Sequence, residues 1–542
     1  QSPRSDDGES RERLRLSPRR ETTTGTSSPV SGTNQTNPTT GTGSTIAESP
    51  PTSRRTTPRG RKKSPGKISQ TTGSSRTSDR GSTSGGRDSL EWWTESSRAL
   101  SEKLLSRIGT GSVDLRSISW NGSVNDRTVN SWYRTRSSNL PIKNSQKILW
   151  PSFTSSLADT TVGDVTRARK IRLSPTSQQV KILRGWMEDY RKTWNMALKL
   201  VKEQKRKISL GLKKDVVTRR ANDGDQLKAL KSSPANIRKG AVNDLVKANR
   251  SSWALYRARL RESKRNWRKT PFEIKYKSRK ATSGSLEFEK KDVKKTEDGI
   301  ELFSQPQFKM TLKANSSDIP EITKDCRITR VFDRWYLVVP EVVASVKRPP
   351  VEEPKVIGID PGLRTAFSCF GTDGKFFEFG CEVQSKVDEV NNKLEGIKRK
   401  MKDSTTKRSR LKKAWYRHMT RAKHLCDELQ WKTINFLTKA YDVIVLGKLN
   451  VKSLMMSYNK KNKKTLSFLS FYKFRQRLEE KSKVRGNIVV IQNEAGTTQG
   501  CPKCGFKKLD VGTSKVYKCD RCNFVGDRDL KSAICMILKC CS

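Results

Sequence analysis

The sequence is short of histidine, of acidic residues and of long apolar runs. It has two histidines in 542 residues, and 55 Asp and Glu residues stand against 111 Lys and Arg residues, which leaves a formal net charge of +56. No stretch approaches the roughly 18 apolar residues that a membrane-spanning helix needs, and no secretory signal is visible. A membrane is therefore not among the expected partners.

The excess of positive charge indicates a polyanionic partner. A compact protein with this charge would repel itself unless a polyanion neutralised it, and nucleic acid is the natural candidate. Charge alone fits a ribosomal or chromatin-like protein without catalysis as well as it fits an enzyme. Seven of the eleven cysteines lie in the last 42 residues, which favours a metal site in a reducing compartment over a disulfide framework.

The N-terminal part of the chain is poor in apolar residues. Residues 1–88 consist mainly of Ser, Thr, Arg, Gly and Pro, which cannot offset the entropy of ordering by burial, so we predict a disordered basic tail. Within it, Arg59–Lys63 fits either a nuclear localisation signal or a generic basic tail. Residues 89–164 are poorly defined, although the apolar residues from Leu90 to Leu105 could pack as a short helix.

The middle of the chain predicts helices set into a small β-structure. Lys170–Leu173 predicts a short strand within residues 165–178, and residues 179–282 carry apolar side chains at helical spacing. Residues 283–350 are β-rich, with a hairpin predicted from Ile328 to Val339. A small barrel interrupted by the helical segment is the economical arrangement.

Aromatic residues also occur among the basic residues of that helical segment. Trp253, Tyr256 and Trp267 could stack on nucleic-acid bases. Helix-spaced aromatics more often belong to a core, so we interpret these three as core residues and assign none as a contact.

Acidic residues stand at element ends in the last third of the chain. Val356–Gly362 is an apolar strand that ends in Asp360 and a turn, which is typical of an RNase H-like first strand as well as of ordinary turn chemistry. Glu494 closely follows the predicted fifth strand. Asp527 and Asp529 open the last helix, where we predict Asp527 as the N-cap and Asp529 as the better metal ligand.

Residues 351–500 are predicted to form a further domain. Its fourth strand is Val443–Leu446, and residues 385–440 before it predict a basic helical hairpin. His418 and His424 lie on this hairpin, and we interpret them as structural or solvent-facing.

Two CxxC pairs at the spacing of a zinc ribbon occupy residues 501–522. Because the two histidines are distant, four thiolates are the only local ligand set, and such closed sites bind one structural zinc ion. Residues 523–542 follow as the C-terminal helix of the domain that begins at residue 351. The predicted zinc ligands are Cys501, Cys504, Cys519 and Cys522.

The order of these motifs resembles the RuvC-type core of the TnpB family of RNA-guided DNA endonucleases over about residues 355–542. Arg172–Gln179 and Thr193–Leu198 resemble, more weakly, the family's wedge strand and first recognition helix. In TnpB proteins the fourth strand ends in a catalytic Glu, where this chain has Gly447. It is similar here to Fanzor proteins, the eukaryotic relatives, which carry a Glu before the zinc ribbon instead, at the place of Glu494.

Sheet geometry makes this exchange plausible. In an RNase H-like sheet the fourth strand lies beside the first and the fifth beside the fourth, with neighbours roughly 4.8 Å apart, so the fifth lies about 10 Å from the first. A Glu at the end of the fifth strand can therefore lean across Gly447 towards Asp360.

The resemblance implies a multidomain α+β protein: a wedge barrel interrupted by a helical recognition domain, then a RuvC domain with a helical insertion and a zinc ribbon. It implies that Asp360, Glu494 and Asp529 bind two Mg²⁺ or Mn²⁺ ions, which prefer hard oxygen ligands. It also implies a monomeric ribonucleoprotein in the nucleus, with guide RNA and target double-stranded DNA as partners. Two alternatives stay open: an RNA-independent transposase or resolvase, and an inactive nucleic-acid-binding regulator.

Overall fold

The computed structural model describes the chain from residue 90 to residue 540, with gaps. The tail 1–88, with Arg59–Lys63, lies outside the described residues, and so does Trp267. In the part of the chain that is described, no helix is both long and apolar enough to cross a membrane. The described ranges are 90–107, 135–139, 163–204, 207–218, 233–262, 273–346, 348–349, 351–403, 408–512, 514–522 and 524–540.

Two antiparallel sheets and two long helices share the first hydrophobic core. Their elements are β2 (Val165–Leu173), α2 (Ser177–Glu203), α3 (Ala235–Glu262), β3 (Ser283–Phe288), β4 (Val293–Thr296), β5 (Gly299–Leu302), β6 (Met310–Lys313), β7 (Cys326–Val331) and β8 (Arg334–Val343). One sheet has the order β2-β8-β7-β3 and the other β4-β5-β6, and a bridge between Leu173 and Ala314 joins them. The helices interrupt the strands in chain order, and the hairpin predicted from Ile328 to Val339 is present as β7 and β8.

Helix α2 begins directly after Thr176. Thr176 and Gln179 form a capping box, which satisfies two backbone N–H groups at the helix start. Its residues at helical spacing, among them Leu183, Trp186 and Tyr190, are buried in the core.

The core interpretation of Trp253 is wrong. The buried apolar residues of α3 end at Val246, and Trp253 is 41% exposed in the half of the helix that extends past the sheets. Its ring packs edge-to-face on Tyr256. The apolar residues keep their helical spacing beyond the part of α3 that packs on the sheets. This spacing therefore predicted a longer buried face than the helix has.

A six-stranded sheet forms the centre of the second half of the chain. Its order is β1-β11-β10-β9-β12-β13. As expected, β12 lies beside β9 and β13 lies beside β12, and both pairs are parallel. The edge strand β1 was not predicted. The six strands are β1 (Thr135–Asn139), β9 (Val356–Pro361), β10 (Phe367–Gly371), β11 (Lys375–Phe379), β12 (Val443–Gly447) and β13 (Ile488–Gln492).

Helices cover both faces of this sheet, which explains the uninterrupted apolar run of β12. Ile444 and Leu446 face one core, whereas Val443 and Val445 face the other. The predicted hairpin is present as α4 (Val383–Asp403) and α5 (Arg408–Ala440), and α6 (Val451–Ser457), α7 (Lys460–Leu469) and α8 (Phe471–Arg485) follow β12. On α5, His418 is half-buried and His424 is exposed. His424 lies 3.4 Å from the hydroxyl of Tyr336.

The second face carries α1 (Glu95–Arg107) and α9 (Arg528–Lys539), next to a hairpin of β14 (Val516–Lys518) and β15 (Val525–Asp527). The ribbon therefore continues past the predicted boundary at residue 522, up to Asp527.

Candidate active site

The predicted acidic residues gather at one edge of the six-stranded sheet. Because β9, β12 and β13 run parallel, their carboxyl ends lie at the same edge. Asp360 stands at the end of β9, Gly447 ends β12, and Glu494 follows β13 by two residues.

Glu494 lies over the glycine that ends the fourth strand. A Cβ atom built on Gly447 would stand 2.7 Å from Oε1 and 3.0 Å from Cγ of Glu494. The side chain of Glu494 therefore occupies the space that any side chain at residue 447 would need.

The start of α9 supplies the third carboxylate. Oδ1 of Asp527 accepts hydrogen bonds from the backbone N–H of Asp529 at 2.9 Å and of Leu530 at 3.2 Å, so Asp527 is the N-cap, as predicted. Asp529 lies in the first helical turn, and its side chain is not part of the N-cap. Helix α9 approaches β9 closely, since a Cβ atom at Gly358 would collide with the carbonyl of Ala533.

The three carboxylates influence one another. Burial raises the pKa of Asp360 well above its ordinary value, and the charges of Glu494 and Asp529 raise it further. Burial also raises the pKa of Glu494 to about 7. Such shifts follow when acidic groups share a desolvated site without a cation.

These residues fit a divalent cation. Oε1 of Glu494 is buried and accepts no hydrogen bond from any described residue. This oxygen therefore fits the role of a metal ligand. The three carboxylates are more open than a single-ion cluster, because among the described residues only the four cysteines bring three or more ligand atoms within 4.8 Å of one another. Two-metal sites hold their ions about 3.5–4 Å apart and therefore span more space than a site for one ion.

Sequence reasoning missed a buried lysine behind the site. Lys531, on α9, is completely buried and donates to the carbonyls of Thr497 at 2.8 Å, Thr498 at 2.7 Å and Gly500 at 2.8 Å. It therefore ties the helix of Asp529 to the turn that follows Glu494. The one available signal was a single charge in the otherwise uncharged run from Leu530 to Leu538.

Lys515 connects the ribbon to the sheet. Its Nζ lies 3.2 Å from a carboxylate oxygen of Glu378, which is 1% exposed on β11, and 3.2 Å from Asp527. In register, both Glu378 and Asp360 pair with Ser368 of the strand between them, so the two acids share one face. The pairs of Lys515 therefore hold the N-cap of α9 against the sheet.

The four predicted zinc ligands lie together. Sγ of Cys501 is 3.5 Å from Sγ of Cys522, and Sγ of Cys504 is 3.7 Å from Sγ of Cys519. A tetrahedral zinc with bonds of about 2.3 Å would set its sulfur atoms about 3.8 Å apart. The hydrogen bond between Cys501 and Cys504 lowers the pKa of Cys504 to about 5 and raises the pKa of Cys501, so without a cation only one of the two favours the thiolate form.

Two family models match parts of the chain. The model described as Cas12f1-like, TNB domain matches residues 471–536, and one described as a helix-turn-helix domain matches residues 165–207. A TnpB-like protein of Acanthamoeba polyphaga mimivirus is 28% identical over 387 residues, 68% of this chain and 72% of that protein. The chain is similar to the TnpB-like family.

Two other relatives are similar to parts of the chain. A second TnpB-like protein of the same virus is 31% identical over 227 residues, 39% of this chain and 42% of that protein. A protein of Escherichia coli (strain K12) named putative RNA-guided DNA endonuclease InsQ is 23% identical over 40% of this chain and 57% of its own length.

Among solved structures, a Cas12f1–sgRNA–target DNA complex is 14% identical and matches 69% of this chain and 98% of that one, with a TM-score of 0.25. A TM-score this low does not establish a shared fold.

Proposed function

We propose that this chain is an RNA-guided, metal-dependent DNA endonuclease of the Fanzor type. The observation that carries the proposal is the position of Glu494, which fills the place left by Gly447 and brings a third carboxylate to the edge that holds Asp360 and Asp529. Similarity to TnpB-like proteins supports the reaction class, because one relative is named a putative RNA-guided DNA endonuclease.

In this proposal the three carboxylates hold two Mg²⁺ or Mn²⁺ ions. The bound ions would activate the attacking water and stabilise the leaving 3′ oxygen. The residues of the chain provide fixed oxygen ligands: Asp360 stands on a central strand, Asp529 on a capped helix, and Glu494 on a turn held by Lys531. Rigid mounting matters because small displacements of catalytic groups reduce rates strongly.

Guide RNA and target DNA are the proposed partners. The net charge of +56 needs a polyanion, and the chain would hold a folded RNA together with its heteroduplex while reading a short adjacent motif itself. Residues 165–350 would serve as wedge and recognition regions. We further propose a monomeric ribonucleoprotein that enters the nucleus through Arg59–Lys63.

The cysteine cluster is proposed to hold one structural zinc ion. Its four sulfur atoms form a closed ligand set, which leaves no position for a reacting group.

Matched glutamine substitutions test the carboxylate site. Glu494→Gln is expected to reduce Mg²⁺-dependent cleavage by at least about a hundredfold. Glu389→Gln is the control, because Glu389 is exposed and pairs only across one helical turn with Lys386. Asp360→Ala is expected to abolish cleavage, and normal cleavage by Glu494→Gln would remove Glu494 from the site.

Sequencing the RNA that copurifies with the protein tests the guide. A discrete RNA that is not host ribosomal RNA, and on which cleavage depends, supports the proposal. Full-rate cutting by RNA-free protein would instead indicate the RNA-independent transposase or resolvase, and two viral relatives are named putative transposases. Tight binding without cleavage under any divalent cation would indicate the inactive regulator.

A further inference from the structure

The segment before the family-matched regions contacts the catalytic edge. Residues 90–107 precede residue 165, where the first family model begins. Leu90 and Trp92 are nonetheless buried, 5% and 8% exposed, in the core shared with α9 and the ribbon.

Their contacts fall on the turn formed by residues 494–500, which we call the Glu494 turn. A Cβ atom at Gly496 would stand 3.1 Å from Nε1 of Trp92 and 3.3 Å from a methyl carbon of Leu90. One at Gly500 would collide with Leu90 and lie 3.3 Å from the ring of Trp92. Two glycines therefore let Leu90 and Trp92 approach the backbone of this turn directly.

Contacts from two sides hold the Glu494 turn, in addition to its own hydrogen bonds. Gly496 has a φ of +82°, and the backbone N–H of Thr497 donates to the carbonyl of Glu494 at 3.1 Å. On the side of α9, Lys531 bonds three carbonyls of the turn, and Lys539 donates to the carbonyl of Ala495 at 2.8 Å. Leu90 and Trp92 supply the apolar contacts to the same turn.

The segment is itself fixed to the catalytic domain. Ser97 donates to the carbonyl of Trp92 at 3.1 Å and approaches the carbonyl of Leu538, on α9, at 3.5 Å. Ser101 donates to the carbonyl of Pro502, in the first cysteine pair. Trp92 is thus anchored to α9, the helix that carries Asp529, while its ring packs on the turn that carries Glu494.

We propose that Leu90 and Trp92 are positioning residues of the carboxylate site, which set the Glu494 turn and through it the distance from Glu494 to the other carboxylates. This inference rests on the proposed function, since it assumes that the carboxylates bind divalent cations. It makes the segment a part of the catalytic site even though its residues carry no ligand.

The positioning role is tested by measuring Mn²⁺ binding to the full-length, RNA-free protein, which does not depend on cleavage. Electron paramagnetic resonance reports the concentration of free Mn²⁺ during the titration. Trp92→Ala is expected to weaken Mn²⁺ binding at least about tenfold, in the range seen when groups that orient metal ligands are removed. Trp92→Phe, which keeps a ring against Gly496, should retain most of the affinity. The milder Leu90→Ala provides a second test in case Trp92→Ala does not fold.

Leu104→Ala is the matched control. Leu104 is 1% exposed in the same segment and is not among the atoms nearest to Gly496 or Gly500. It should lower the melting temperature but leave Mn²⁺ affinity, and the Mg²⁺ concentration for half-maximal cleavage, unchanged.

Two outcomes distinguish a failure of the positioning role from a failure of the metal site. If wild-type protein binds Mn²⁺ and the Trp92 and Leu90 variants bind it equally well, the positioning role is refuted while the metal site stands. If wild type and Glu494→Gln bind Mn²⁺ equally, Glu494 is not a ligand, and the proposed site fails with the inference built on it.

Discussion

Replacing Gly447 by alanine adds one methyl group at the point where the Glu494 carboxylate crosses the fourth strand. The new Cβ would lie 2.7 Å from Oε1 of Glu494 and 3.0 Å from Cε of Met536. Both neighbours are ends of flexible side chains, so the strand can remain in place while they move. The carboxylate must retreat by at least about 0.7 Å to reach an ordinary contact of 3.4 Å.

That displacement is small for the fold and large for catalysis. Added methyl groups in packed sites typically destabilise by about 1–3 kcal/mol, whereas a misplacement of about 1 Å in a catalytic group can reduce the rate about a hundredfold. We therefore expect Gly447→Ala to lose about 10- to 100-fold in cleavage rate, with guide RNA and target DNA binding unchanged.

Single-turnover cleavage at saturating RNA and DNA, beside a binding titration, measures the two effects separately. Gly396→Ala is the control, since a Cβ at Gly396 on α4 meets nothing within 4 Å. Combining Gly447→Glu with Glu494→Ala should restore part of the activity, because the carboxylate then comes from the fourth strand. Cleavage at the wild-type rate by Gly447→Ala would refute the idea that Glu494 acts from above this glycine.

Three further perturbations follow from the same contacts. Lys531→Met removes the donor shared by three backbone carbonyls and should lower the free energy of unfolding by roughly 3 kcal/mol in urea titrations; an unchanged midpoint would contradict this. Cys519→Ser should reduce the zinc content from one equivalent per chain and destabilise the C-terminal part, and zinc-free, fully active wild type would end the zinc proposal. Burial raises the pKa of Glu494 from 4.5 to about 7, so the folded state binds the extra proton between these values and stability falls as pH rises through them. Without added Mg²⁺, Glu494→Gln should lack this loss, which is up to about 3 kcal/mol, and equal pH slopes in both proteins would contradict the assignment.

The sequence predicted those parts of the fold whose patterns are local. The uninterrupted apolar run Val443–Leu446 predicts a buried strand, and it is found as β12. The relative positions of Asp527 and Asp529 follow from the geometry of a helix start. The metal-binding role of Asp529, like that of Asp360, stays a prediction.

What the sequence did not predict depends on distant partners. The strand Thr135–Asn139 has no alternation of apolar and polar residues from which it could be predicted. It joins the edge of the sheet through backbone pairing with β11. Nothing near Leu90 and Trp92 indicates that they face Gly496, about 400 residues away. In the sequence, Lys531 is only a single charge in an apolar helix. The three carbonyl groups that accept its hydrogen bonds belong to another segment.

The contact between Gly447 and Glu494 also restricts how such a site can be built. With glycine at residue 447, a carboxylate must come from the fifth strand, and Glu494 supplies it across the open space. A larger residue there displaces the Glu494 carboxylate, by at least about 0.7 Å for alanine and further for a bulkier side chain. A side chain without a carboxyl group at residue 447 therefore weakens the contribution of Glu494 and supplies no ligand of its own. The two positions are coupled because the parallel pairing of β12 with β13 sets Gly447 beside the strand that leads to Glu494.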